Sequence, residues 1–73
     1  MPKLPVVSGD DLVKALEKLG YEIDRIRGSH MMLRAAGRPP LVVPRHRKLD
    51  RGTLRGILRD AGISVEELIE LLK

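Results

Sequence analysis

Two imidazoles, His30 and His46, are the side chains of this 73-residue sequence suited to move protons near neutral pH, and no cysteine accompanies them. No G-x-S-x-G or comparable nucleophile motif occurs. The histidines lie in different segments, without H-x-x-x-H spacing and without a carboxylate close by in sequence, which makes a poor metal-ligand set. No metal and no cofactor is therefore expected. A lone histidine is ordinarily a packing or surface residue, so its neighbours decide what it can do.

His30 follows Gly28-Ser29 and is surrounded in sequence by Arg25, Arg27 and Arg34. A neutral imidazole, with an ordinary pKa of about 6.5, can take the proton of a ribose 2′-hydroxyl, and guanidinium groups can stabilise the charge that develops on the phosphorane. This is the minimum equipment for metal-independent RNA cleavage. DNA lacks the 2′-hydroxyl and offers no such internal nucleophile.

The charge distribution points to the same class of partner. Between Arg25 and Arg59 stand nine Arg and one Lys against the single acid Asp50, a net +9, whereas four Lys and nine acids leave the flanks at −5. An arginine-dominated segment suits a polyanion, because the guanidinium fork matches phosphate oxygens in a planar, two-pronged way. Tyr21 is the only aromatic residue. Folds that grip bases by stacking on rings, such as RRM and OB domains, are therefore excluded. No apolar run is long enough to span a membrane, and Met1 to Ser8 is too short and too rich in proline for a signal peptide. A soluble cytoplasmic protein with no membrane partner is expected.

The elements that must carry these residues can be read from periodicity. Residues 1–73 form one domain, with the first seven residues expected to be flexible. Ser8-Gly9-Asp10-Asp11 predicts a capping box opening a helix whose buried face is Leu12, Val13, Leu16 and Leu19, with Gly20 as its left-handed stop. A short strand is predicted from Tyr21 to Ile26. Over Ser29 to Ala35, alternation puts Ser29, Met31, Leu33 and Ala35 towards a core and His30, Met32 and Arg34 towards solvent. Ala36 to Pro39 reads as a turn, and Leu41-Val42-Val43 as a third strand bounded by Pro40 and Pro44. After a basic loop from Arg45 to Asp50, a helix buries Leu54, Ile57, Leu58 and Ala61 and ends at Gly62, with Arg51, Arg55 and Arg59 as a stripe on its other side. Ser64 and Glu67 form a second capping box, opening a last helix with an apolar face of Leu68, Ile69, Leu71 and Leu72. The predicted order α-β-β-β-α-α is an α+β fold: a three-stranded antiparallel sheet with helices on one face.

Leu-Gly-Tyr (Leu19 to Tyr21), Gly-Ser-His (Gly28 to His30), Val-Pro-Arg-His (Val43 to His46), Gly-Thr-Leu (Gly52 to Leu54) and Ile-Leu-Arg-Asp-Ala-Gly-Ile (Ile57 to Ile63) follow one another in an order that resembles the HicA-type, or YcfA-like, toxins. The resemblance runs from Ser8 to the C-terminus. It implies a double-stranded-RNA-binding-domain-like fold, mRNA interferase activity, and a toxin–antitoxin pair in which a HicB-type partner covers the active site. In that family the histidine of Gly-Ser-His is catalytic, a role that falls here on His30. Many members carry a second histidine directly after it, where this chain has Met31; alternation puts that position on the core side.

On this reading His30 is catalytic, Arg25, Arg27, Arg34, Arg45, Arg47 and Lys48 contact phosphates, and Ser29 and His46 complete the RNA-binding set. His46 could hold the loop before the second long helix, contact RNA or act as the complementary acid, and the loop role ranks first. The expected partners are mRNA and the antitoxin, and the free chain is expected to be a monomer or a weak homo-oligomer. The competing reading is a non-catalytic RNA-binding module of the same fold. Against it, the last helix opens with Glu66 and Glu67, which suit its own dipole and repel phosphate. A degenerate toxin kept only to bind a partner is disfavoured by the intact Gly-Ser-His.

Overall fold

The computed structural model describes residues 3–73, so Met1 and Pro2 of the segment expected to be flexible lie outside the described residues. Six elements follow in the order expected: α1 (Gly9–Glu17), β1 (Glu22–Arg27), β2 (His30–Ala35), β3 (Arg38–Pro44), α2 (Arg51–Ala61) and α3 (Val65–Leu71). The three strands form one antiparallel sheet in the order β1-β2-β3.

Capping chemistry sets the helix starts. Ser8 Oγ accepts from the Asp11 N–H at 3.0 Å and Ser64 Oγ accepts from the Glu67 N–H at 3.0 Å. Glu67 returns a bond to the Ser64 N–H at 3.1 Å, whereas Ser8 has no such bond from Asp11, whose side chain is one methylene shorter. The expected α1 capping box is thus half made. Gly62 ends α2 with φ +73°, a conformation glycine adopts without steric cost. At the far end of α3, Lys18 Nζ donates to the carbonyls of Leu71 and Lys73, both at 2.8 Å, which ties α1 to α3.

The core lies between the helices and one face of the sheet. Met31, Leu33, Leu41 and Val43 from β2 and β3 pack with Leu12 and Leu16 of α1, Leu54 and Leu58 of α2 and Leu68 of α3, all under 5% exposed. The alternation read for β2 holds: Met31 and Leu33 are each 1% exposed, while His30 and Arg34 are exposed on the opposite face. Ahead of α1, Leu4 packs against this core and Val7 is buried in it, with the Val7 carbonyl accepting from the Leu49 N–H at 2.9 Å.

Three local expectations are corrected. β1 begins at Glu22, because Tyr21 turns into the core and its hydroxyl donates to the Pro39 carbonyl at 2.9 Å. Ser29 belongs to the two-residue turn between β1 and β2 and is exposed, not on the core face. β3 starts at Arg38 and not at Leu41, since Ala36-Gly37 alone makes the turn, with Gly37 at φ +74°. Its prolines are tolerated because β3 is an edge strand, where a missing N–H need not break a ladder. Tyr21→Phe, which deletes only the hydroxyl bond, is expected to lower stability by about 1 kcal/mol, measured by urea unfolding followed by far-UV circular dichroism.

Candidate active site

His30 is the first residue of the central strand, immediately after the tight turn at Gly28 (φ +58°) and Ser29. Register fixes its neighbours: it stands opposite Arg27 on β1 and opposite Pro44 on β3. Directly opposed residues share a face of the sheet, with Cβ atoms about 5 Å apart. Arg27 is therefore the arginine directly opposite His30 across the hairpin. Further along the same open face lie Met32 and Arg34 of β2, with Arg25 opposite Met32. A shallow groove lined by Asp24, Arg25, Met32, Arg34, Pro40 and Val42 runs there.

The second basic group arrives through the loop after β3. The Arg45 N–H donates to the Ser29 carbonyl at 2.6 Å, and the Gly9 N–H donates to the His46 carbonyl at 2.9 Å. Leu49 is buried and closes the loop. Residues 45–48 are thus anchored at both ends, next to the residue that precedes His30, with Arg47 and Lys48 exposed between the anchors. His46 holds α1 through its backbone carbonyl, a bond any residue could make, and its imidazole is exposed.

Carboxylates divide the arginines into two sets. Asp24 lies 3.4 Å from Arg34 Nε and 4.0 Å from Arg25 Nε, and Asp10 lies 3.2 Å from Arg45 Nε. All of these pairs are exposed, where an ion pair contributes at most about 1 kcal/mol and yields readily to a phosphate. Among the described residues, Arg27, Arg47 and Lys48 make no ion pair. No hydrogen bond among the described residues orients either imidazole.

The +9 segment is not one patch. Arg51, Arg55 and Arg59 project from α2, which covers the opposite face of the sheet from His30. Arg38 is spent on structure, its Nη1 donating to the Ala61 carbonyl at the C-terminus of α2 at 3.1 Å. Every residue expected at the site is exposed and stands on β1, on β2, in the turn between them or in the 45–48 loop; Arg38 and the α2 arginines are not among them. Sequence reasoning passed over Asp10 and Asp24 as partners of these arginines. The spacing of Ile23 and Ile26 carries a further unread signal: isoleucines three apart share a strand face only if one residue is extra, and the register does shift between Ile23 and Arg25.

Chemically, this is an open, cationic sheet face with an unencumbered imidazole at one end. It suits an extended polyanion better than a small molecule that must be enclosed. Among the described residues no three His, Asp or Glu side chains cluster as a metal site, and no helix is long and apolar enough to cross a membrane.

Comparison with curated protein sequences gives no match. A family model described as the HicA toxin of bacterial toxin-antitoxin does match, over residues 9–63. That span begins with α1, takes in the whole sheet and its turns, and ends just past Gly62 at the close of α2, so the chain belongs to the HicA toxin family of bacterial toxin–antitoxin systems.

Proposed function

We propose that this HicA-family chain is an endoribonuclease toxin of a type II pair, acting on mRNA in the cytoplasm, with His30 as its catalytic residue and a HicB-type antitoxin as its partner. The observation that carries the reading is the surroundings of His30: an exposed imidazole at the start of the central strand, opposed by Arg27 and followed in space by the Arg45 loop.

In the proposed reaction His30 accepts the proton of a ribose 2′-hydroxyl, and the 2′-oxygen forms a bond to the adjacent phosphorus. The bond from phosphorus to the 5′-oxygen breaks, and that oxygen leaves with the electron pair and takes up a proton. The products are a 2′,3′-cyclic phosphate and a 5′-hydroxyl. Arg27 is the guanidinium best placed to stabilise the phosphorane, while Arg25, Ser29, Arg34, Arg45, His46, Arg47 and Lys48 hold the flanking strand. No step needs a metal, so cleavage of single-stranded RNA by the purified chain should persist in a chelator. A second reading, a binding module without chemistry, draws on the exposed imidazole, which no hydrogen bond among the described residues orients. It predicts binding that weakens steeply with salt and yields no product.

The two sets of arginines should separate experimentally. Arg38→Ala is expected to lower stability by about 1 kcal/mol with RNA affinity unchanged, whereas Arg27→Ala should leave unfolding unchanged and reduce both affinity and its salt dependence. Filter binding over a salt series and urea unfolding of both variants check this.

A further inference from the structure

We propose that β1 is a self-complementary edge through which two copies of this chain pair, antiparallel and about a twofold axis, into one continuous six-stranded sheet. The strand reads Glu22-Ile23-Asp24-Arg25-Ile26-Arg27 and is exposed at all six positions, with Ile23 and Ile26 at 42% and 47%. It is an edge in the order β1-β2-β3 and contains no proline, while the opposite edge, β3, carries Pro39, Pro40 and Pro44 and is poorly equipped to donate.

Set against a reversed copy of itself, β1 matches at every position. Glu22 meets Arg27, Ile23 meets Ile26 and Asp24 meets Arg25, and the second copy repeats each pair. Opposed side chains must share a sheet face. In a regular strand residues 23 and 26 lie on opposite faces, and so do 22 and 27, which forbids this register. The bulge at Asp24 removes the obstacle. Ile23 and Ile26 stand opposite Leu33 and Met31, both on the core face, and Glu22 and Arg27 stand opposite Arg34 and His30, both on the open face. The bulge falls on the twofold axis, where Asp24 and Arg25, which line the open face together, lie beside Arg25 and Asp24 of the other copy. A bulge usually blunts an edge; at this position it makes the edge fit itself. The four isoleucines would form a contiguous apolar strip on the side of the sheet that the helices leave bare over β1, and each end of the interface would close with a Glu–Arg pair.

The pairing rests on β1 alone. Its effect on RNA rests on the functional reading, because Glu22 of the second copy would engage Arg27 beside His30 and withdraw a cation from each site.

Sedimentation equilibrium of the full chain over a concentration series tests the pairing. The parent should shift from the monomer mass to twice that mass as concentration rises. Glu22→Arg and Arg27→Glu should each stay monomeric, since one sets Arg against Arg and the other Glu against Glu. An equimolar mixture of the two variants should regain the dimer, because each then opposes its complement, and that recovery also shows both variants to be folded. A parent that stays monomeric throughout, single variants that dimerise as the parent does, or a mixture that stays monomeric would each overturn the proposal. So would β1 amides that gain protection from exchange only when an antitoxin is added, which would assign the edge to that partner.

Discussion

His30→Ala should leave the fold intact and reduce RNA cleavage by about 10²–10⁴-fold, the usual contribution of a positioned proton-transfer group. The fold should survive because His30 is exposed and makes no side-chain hydrogen bond among the described residues, while the packing of β2 depends on Met31 and Leu33, each 1% exposed. Strand pairing with Arg27 and Pro44 involves the backbone, which alanine retains. Binding should persist through the arginines and Lys48, so the loss should appear in turnover and not in affinity. Single-turnover cleavage, binding and thermal unfolding of parent and variant separate the two effects. In cells, growth arrest on expression should disappear with the same substitution. A variant that cut RNA as well as the parent would make His30 the wrong residue.

Gly9→Ala should be the most damaging single-methyl change in the chain. Gly9 is buried where α1 meets the end of β3, and a Cβ there would overlap the Pro44 carbonyl oxygen and press on the Arg45 Cα at 3.1 Å. Neither neighbour is the free end of a side chain. The Gly9 N–H holds the His46 carbonyl and the Arg45 N–H holds Ser29, so relief of the overlap must pull α1 away from the loop that carries Arg45, Arg47 and Lys48. A cost of about 3 kcal/mol is expected, at the upper end for overpacking, which for a domain of this size lowers Tm by roughly 12–24 °C. RNA affinity should fall with it, as the loop loses its anchor. Gly52→Ala is the control: it lies in α2 with open space around the added Cβ, and should stabilise by about 0.5–1 kcal/mol. Calorimetry of the two variants beside the parent would expose an error if Gly9→Ala melted with the parent.

Periodicity and capping made much of this architecture legible. Alternation from Ser29 to Ala35 separated the core pair Met31 and Leu33 from the open-face pair His30 and Arg34, because a half-buried strand writes its two faces directly into the chain, and it failed only at Ser29, where the turn has not yet given way to the strand. Ser64 with Glu67 and the left-handed Gly62 marked the boundary of the last two helices for equally local reasons. What escaped was whatever depends on partners distant in sequence. Arg38 counted as one more cation until its fold-specific bond to Ala61, 23 residues away, came into view. The pairs of Asp10 with Arg45 and of Asp24 with Arg34 likewise arise only once α1 and β1 sit beside their partners. Gly9 looked like an ordinary residue of a helix start, although tertiary packing alone forbids it a side chain. The histidine, arginines and loop cations nominated for the site were all readable as residue types; that Arg27 opposes His30 while the α2 stripe faces elsewhere was not.

The central claim, that this chain breaks RNA through its 2′-hydroxyl at a histidine, is met most directly by mapping the products of the purified protein on a single-stranded RNA in chelator, beside the same strand carrying 2′-deoxyribose at the cleaved position. Cleavage leaving a 2′,3′-cyclic phosphate and a 5′-hydroxyl, and abolished at the deoxy position, is the predicted result. Cutting at the deoxy position, or of an all-DNA strand, would contradict it, as would tight binding with no product at all.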